Sequence, residues 1–503
     1  MFVRARRPVA SLCIALLALN VLTCSRVRRE EAQTVIRPGE GAPKERIVGV
    51  TLKDGREIQF DESTRAFVSG DTLHAQVRKQ PLAVPVSDLQ RVWVRSVDKT
   101  RTTLAVIGIT AGVLLTAFVV ALATKESCPF VYSWDGTQYV FDGEPYGGAI
   151  TRGLERDDYS SLEHLRPDSA GLYRLMVTNE VNETQYTNSM ELMVVDHPAG
   201  VRLEMDEWGK PHAVTGAIAP ASARDQNGRD LVPWLSTADG MIWEPLPPAN
   251  LLGAVRQEIV LTYPKPRGAT RAKLVARAGT GMWGSHMIRE MLELRGAQVN
   301  DWYAAIDKGG SALDSLRAWN VREELYVLKL EIQEDGGWRT RGLLPGGGPF
   351  LTETRVVPLD VSRATGDSLR LRVRPPSGFW ALNSFEISYD DGEQPFAVTR
   401  VAPLTARTSE QRDLLADLRA SDDRYYPMPT TDDRALISFV APPPRAGAKR
   451  SVFLHTRGYY RLHLPEKGPA DLMALERITH QPDAAARMAA ESFAKRRVAS
   501  GGK

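Results

Sequence analysis

Residues 102–124, TTLAVIGITAGVLLTAFVVALAT, run for 23 positions without a charge. A bilayer core ~30 Å thick takes about 20 apolar residues in helix, so this run reads as one transmembrane helix. It separates a small N-terminal piece from a body that opens with SCPFVYSWDGTQYVFDGE. The expected fold class is mainly β: a small SH3/Sm-like barrel, one transmembrane helix, then a large β-sandwich-type body with a few inserted helices. Gly108 and Gly112 stand at GxxxG spacing, which lets two such helices approach closely and offers a route to a homo-oligomer. Small residues in a membrane helix also need no partner.

The flanks of the run conflict with the N-terminus. Arg91, Arg95, Lys99 and Arg101 precede it, and Lys125, Glu126 and Asp135 follow. The positive-inside rule would leave the barrel in the cytoplasm and the body outside. Yet MFVRARR followed by the uncharged PVASLCIALLALNVLTCS has the layout of an export signal. Val21-Leu22-Thr23-Cys24 is similar to a lipobox, with Thr23 where Gly, Ala or Ser is usual. Cys24 is therefore the candidate lipid anchor. An uncleaved anchor and a plain cleaved signal are the alternatives. The location expected is the bacterial cell envelope, membrane-anchored, with the large body extracytoplasmic.

A chain of 503 residues exceeds one ordinary core. A formal charge of +3 is near balance and sets up no basic field for nucleic acid. Of the three cysteines, Cys13 and Cys24 belong to the first apolar segment and Cys128 stands alone, so neither a disulfide framework nor a cysteine zinc site follows.

In chain order, residues 1–25 are the signal, lipoprotein-type or anchor segment, and 26–45 a charged linker. Residues 46–98 alternate apolar positions around Asp-Gly and Gly-Asp corners, as hairpins of a small β-barrel do. After the span come a β-rich domain at 128–275, a helical insertion at 276–330, a β-sandwich continuation at 331–465 and a helical basic tail at 466–503. The tail is expected to be exposed. Helical periodicity is confined to 285–295, 311–325, 409–419 and the Ala-rich 483–498. The segments CPFVYSWDGTQYVFDGEPYGGAITRGLERDDYSSLEHL, TNEVNETQYTNSMELMVVDHPAG, GMWGSHMIREMLELRG and LPGGGPF resemble those of uncharacterised bacterial envelope proteins, many of them lipoproteins. The resemblance covers about residues 45–465. It implies export and a β-sandwich body, and it carries no catalytic residues.

Gly279, Gly281 and Gly284 match GxGxxG between a strand-like KLVARA and a helix-like SHMIREMLELR, the setting of a pyrophosphate cradle. The bulky Met282-Trp283 pair and the missing βαβ repeat argue for a structural loop. Asp225, Asn227 and Asp230 offer oxygens around a Gly, but such residues also make ordinary turns. The same holds for Asp390-Asp391 and Asp422-Asp423. Trp134, Tyr139 and Phe141 flank the Asp135-Gly136 corner and suit hairpin packing better than sugar stacking. The eight histidines show no HExxH spacing, and Ser285-His286 in sequence makes no nucleophile–base pair. His455, Arg457, Tyr459 and His463 recur at even spacing and would share one strand face, a candidate ligand platform.

The expectation is a membrane-anchored envelope protein with a non-catalytic binding or scaffold body. Its partners would be the membrane and envelope proteins or glycans, without cofactor, metal or nucleic acid. The alternatives are a nucleotide-dependent enzyme using the Gly279-to-Gly284 loop, and a glycan-binding module.

Overall fold

A computed structural model describes residues 25–31, 46–54, 56–60, 66–69, 71–77, 80–97, 129–247, 254–390 and 396–501. The chain divides into two compact units between Leu114 and Leu115. Among the described residues no helix is long and apolar enough to cross a membrane. This corrects the expected fold class at its membrane-spanning element. The membrane, signal-segment and lipoprotein expectations have no structural support either. Apolar length permits a span but does not impose one. Residues 102–124, with Gly108 and Gly112, and all three cysteines, Cys24 included, lie outside the described residues.

Among the described residues the first unit has seven strands: β1 (Ser25–Glu31), β2 (Arg46–Leu52), β3 (Glu57–Gln59), β4 (Phe67–Ser69), β5 (Thr72–Val77), β6 (Gln80–Pro85) and β7 (Leu89–Val97). They make two sheets, β1-β7-β2-β3 and β4-β5-β6, rather than one closed barrel sheet among the described residues. Val50, Leu52, Leu73, Val84, Leu89 and Val92 fill one core drawn from both. The expected linker is corrected at its start, because β1 pairs antiparallel with β7 from Ser25↔Val97 to Glu31↔Arg91. An edge strand is held by backbone hydrogen bonds, so the charged SRVRREE gave no apolar alternation to read.

The second unit continues with β8 (Phe130–Trp134), β9 (Tyr139–Gly143), β10 (Arg156–Ser161), β11 (Leu172–Thr178), β12 (Glu183–His197), β13 (Arg202–Met205), β14 (Pro211–Val214), β15 (Ser222–Asp225), β16 (Ile259–Pro264) and β17 (Arg271–Thr280). After three helices follow β18 (Val327–Glu334), β19 (Gly337–Pro345), β20 (Glu353–Asp360), β21 (Ser368–Val373), β22 (Trp380–Ser388), β23 (Ala397–Val401), β24 (Thr405–Thr408), β25 (Tyr426–Met428), β26 (Arg434–Val440) and β27 (Lys449–Leu462). One sandwich has the sheets β24-β26-β11-β8-β9 and β10-β27-β12-β23. The other has β15-β16-β21-β18-β19 and β20-β17-β22. The five-stranded β24-to-β9 and β15-to-β19 orders match strand for strand, and β10-β27-β12 matches β20-β17-β22; β23 and β25, which also pair with β12, have the isolated bridges Ile218↔Ile387 and Trp243↔Leu382 as counterparts.

The match extends to sequence and hydrogen bonds, which marks an internal duplication. Residues 222–235, SARDQNGRDLVPWL, align with 405–418, TARTSEQRDLLADL. Gly228 and Gln411 share a positive φ, 79° and 69°. Leu231 N donates to Ala223 O at 2.8 Å, and Leu414 N to Ala406 O at 2.9 Å. Likewise 188–192, NSMEL, aligns with 383–387, NSFEI, and each Asn sits where its strand slips register against the partner strand. The first repeat thus runs β8–β17 and the second β18–β27. Each sandwich takes its first half from one repeat and its second half from the other. This corrects the expected division into a β domain at 128–275 and a continuation at 331–465: both sandwiches draw on both segments.

Two glycine-bearing loops meet where the sandwiches join. A Cβ on Gly147 would lie 2.5 Å from the Gly347 backbone, and one on Gly348 would lie 2.0 Å from the Glu144 carboxyl carbon, so neither position admits a side chain. Beside them runs a buried chain of charges. Arg156 donates to Asp158 at 2.7 Å, Arg355 donates to the other Asp158 oxygen at 2.7 Å, and Arg355 donates to Glu353 at 2.7 Å. Arg156 and Glu353 hold equivalent positions in the two repeats, as do Asp158 and Arg355.

The helices Met282–Glu293, Val299–Asp307 and Ser311–Glu323 join the repeats. The second of these showed no clear apolar run in sequence. The region expected to be helical at 409–419 holds one short turn, Leu415–Leu418. The C-terminal helix Ala484–Gly501 is docked, not an exposed tail: Ala485, Ala486, Ala489, Ala490 and Phe493 are buried, and Trp283 Nε1 donates to Ala489 O at 3.1 Å. Alanine's small side chain lets the helix approach its neighbours closely, so an Ala-rich face can be buried.

Candidate functional site

Strand β27 is central in its sheet, so side chains on one face meet those of β10 and β12 across it. Residues 455, 457 and 459 point to that face, as the even spacing predicts. Their directly paired neighbours are Tyr159 and Glu191 for His455, Asp157 and Ser189 for Arg457, and Tyr186 for Tyr459. The three are brought together. His463 lies one residue beyond the strand and instead bonds Thr184 Oγ1 and Asn182 Oδ1, each at 2.9 Å.

His455 holds a carboxylate on each ring nitrogen: Glu191 on Nδ1 at 2.7 Å and Asp157 on Nε2 at 2.9 Å. Its ring stacks on Tyr159 at 4.7 Å. Burial alone would lower its pKa, but the hydrogen bonds to Asp157 and Glu191 outweigh burial and raise it above 6.5. The hydrogen bond from His455 is the largest influence lowering both carboxylates. Arg400 also donates to Glu191, and Arg457 donates to Asp157 at 2.8 Å and Glu155 at 3.1 Å. With both nitrogens committed, His455 is an imidazolium clamp across three strands and has no nitrogen to spare as a base.

A raised histidine pKa contributes stability that is complete below the unfolded value near 6.5 and is lost as pH climbs through the raised one. The lowered Asp157 and Glu191 contribute above their unfolded values of 3.8 and 4.5 and lose that contribution under acid. The melting-temperature gap between wild type and His455→Gln should therefore narrow as pH rises above about 6.5. A gap that stays constant or widens would show that the clamp is not charged.

Beyond Arg457 the face turns aromatic. Tyr459 and Tyr186 stack at 4.6 Å with 13° between their planes, and Tyr425 meets Tyr459 edge-on at 5.6 Å. Tyr459 is buried while Tyr186 and Tyr425 are half-buried. The Arg152 guanidinium lies 5.5 Å above the Tyr425 ring and pairs with Asp423 at 2.7 Å. Burial, then Glu155, raises the Tyr425 hydroxyl pKa, which keeps it a neutral donor. Sequence reading missed Tyr186, Tyr425, Arg152 and Glu155, since they reach the site from other segments.

Comparison within the molecule separates framework from site. Glu191 and Glu386 are equivalent, and each pairs with an arginine, Arg400 or Arg202. Arg457 and Arg277 are equivalent, Arg457 pairing with Glu155 and Asp157 and Arg277 with Glu163. Those contacts belong to the shared fold. By strand register the equivalents of His455, Tyr459 and Tyr186 are Val275, Gly279 and Ala381; Tyr426 pairs with Thr187 as Trp243 does with Leu382, so the equivalent of Tyr425 is Ile242. The fold does not require three tyrosines; this sandwich alone has them.

The other sequence candidates resolve as structure. Strand β17 does enter the helix Met282–Glu293, but Glu244 takes the helix N-terminal amides of Met282 and Trp283. Burial pushes its carboxyl up to about 7, those two amides opposing. A Cβ on Gly281 would lie 2.3 Å from Gly378 O, so the glycine serves backbone packing rather than a phosphate. Asp225 Oδ1 accepts from Asn227 N and Arg229 N at 2.9 Å, and Asp230 from Val232 N at 3.1 Å, as turn residues do. Among the described residues no three His, Cys, Asp or Glu side chains are placed to hold a metal. His286 bonds Glu290 at 3.0 Å, not Ser285. Trp134 and Tyr139 meet edge-on at 5.3 Å across the hairpin.

No family model matches this chain, and no curated protein matches it. Among solved structures, it is similar to a β-porphyranase of glycoside hydrolase family 86 from the human gut bacterium Bacteroides plebeius, with a TM-score of 0.15 and 8% identity over 52% of this chain and 42% of that one. It is similar also to a family 31 α-xylosidase from Xanthomonas citri, with a TM-score of 0.12 and 9% identity over 81% of this chain and 34% of that one. The chain thus spans less than half the length of either, and likenesses this faint carry no argument about its fold or activity.

Proposed function

We propose that this protein is a binding protein whose tyrosine face takes a glycan. The observation that carries the reading is the Tyr186–Tyr425–Tyr459 cluster, rimmed by Arg152, Glu155 and Arg457, in a sandwich whose internal duplicate lacks it. A sugar ring has apolar C–H faces and a hydroxyl rim. Half-buried phenol rings suit the faces, and ionised groups at the rim suit the hydroxyls. The commitment of His455, Asp157 and Glu191 to one another favours holding a ligand over transforming it.

Titration calorimetry of the intact protein against a panel of soluble oligosaccharides tests this. At least one is expected to bind, and Tyr425→Ala should weaken it about tenfold, equivalent to ~1.4 kcal/mol, with the melting temperature little changed. Binding untouched by Tyr425→Ala and Tyr186→Ala would move the site elsewhere. No binding across the panel would reject the glycan class.

A further inference from the structure

The outer faces of the two equivalent five-stranded sheets differ in a way their shared fold does not dictate. In β15-β16-β21-β18-β19 the face is an ion-pair ladder. Arg372 donates to Glu331 at 2.8 Å and to Glu258 at 3.3 Å, and Arg370 to Gln333. In β24-β26-β11-β8-β9 the register puts Met176, Tyr132 and Arg434 at the positions of Arg372, Glu331 and Glu258. One row across that sheet reads Arg407, Leu436, Met176, Tyr132, Phe141. Leu436 is 50% exposed, Val440 53% and Leu404 51%. The same backbone is therefore solvated by charge pairs in one copy and left apolar in the other.

Two charged groups near the apolar row already have partners. Arg174 is paired with Asp168, and Glu180 accepts from Tyr132 at 2.5 Å and Thr178 at 3.0 Å. Arg407 and Arg434 flank exposed Leu436 on the same face, and neither has a carboxylate partner among the described residues. In the other copy, the position of Arg434 is the carboxylate Glu258. Five strands at ~4.8 Å span about 20 Å, and strands of this length run about 20 Å, or roughly 400 Å². That is about half of the ~800 Å² one side of a standard interface buries, which suits one segment better than a whole domain. The rings also tilt against each other, Tyr132 and Phe141 by 50°, so they make no flat platform for sugars. A second copy of this chain would bring its own Arg407 and Arg434 to the same patch.

We propose that the outer face of β24-β26-β11-β8-β9 docks a segment of a partner protein that carries an apolar cluster flanked by carboxylates. With the tyrosine face on the opposite sheet of the same sandwich, the protein would join a glycan to a protein.

The test uses the intact chain and fluorescent synthetic peptides with one Leu/Phe core, flanked by aspartates, serines or lysines. Only the aspartate-flanked peptide should bind, less tightly as salt rises. Leu436→Ser, at a half-exposed position, should weaken it at least about tenfold, as should Arg407→Glu with Arg434→Glu. Equal binding of all three peptides, binding unchanged by either variant, or none at all would overturn the proposal. So would sedimentation showing a dimer of the chain that Leu436→Ser dissolves. The tyrosine-face titration is independent, since Leu436→Ser should leave it unchanged.

Discussion

Replacing Asp158 by alanine is expected to destabilise the second unit by about 3–5 kcal/mol, as removing one member of a buried ion pair does. Its carboxylate accepts from Arg156, Arg355, Tyr146 N and Tyr159 N, between 2.7 and 3.0 Å, with a side chain only 4% exposed. Burial alone would raise its pKa; Arg156 and Arg355 overcome that and hold it well below the usual carboxylate range. Its contribution is therefore present above 3.8 and is lost as acid protonates it. Without it, the Arg355 cation stays in the joint with Glu353 as its remaining carboxylate. Tyr146, at a φ of 74° and wholly buried, also loses the acceptor for its amide. Arg355→Ala should cost a similar amount, and the double variant should cost clearly less than the two together, because they share one interaction. Denaturant unfolding measures all three. Additive losses, or single losses under about 1 kcal/mol, would mean that water already reaches the joint.

The second large effect concerns the interleaving. A chain break between Gly309 and Gly310, both at positive φ with open space around them, separates the first repeat from the second. The N-terminal fragment keeps the whole first unit, but neither fragment should fold its part of the second unit alone. Strand β27 is separated from both of its neighbours, β10 and β12, and β17 from β20 and β22. Mixed and refolded, the fragments should recover native near-ultraviolet dichroism, with a midpoint that rises with concentration as for any two-chain fold. Cooperative unfolding of the isolated C-terminal fragment, which carries nothing of the first unit, would show that a repeat can close on itself. Exchange of halves between two like units is the geometry of domain swapping, here within one chain.

Local chemistry was legible. Alternation and Asp-Gly corners located the β-rich body, and the spacing of 455, 457 and 459 placed three side chains on one face. The duplication was present in NSMEL and NSFEI but concealed by loop insertions that make the separations unequal. The apolar run at 102–124 shows the opposite limit: hydropathy allowed a span, and nothing in the described structure supports it.

What the sequence determined alone was short-range: period, turns and the helix entered after Thr280. These depend on neighbours within a few residues, where backbone sterics and side-chain parity decide. Only the tertiary structure decided that Glu244 would fill that helix's N-terminus. It alone gathered Tyr186, Tyr425 and Tyr459, and it alone paired β12 with β27. Such choices rest on which distant faces complement each other, since register and burial are settled between strands and not within them.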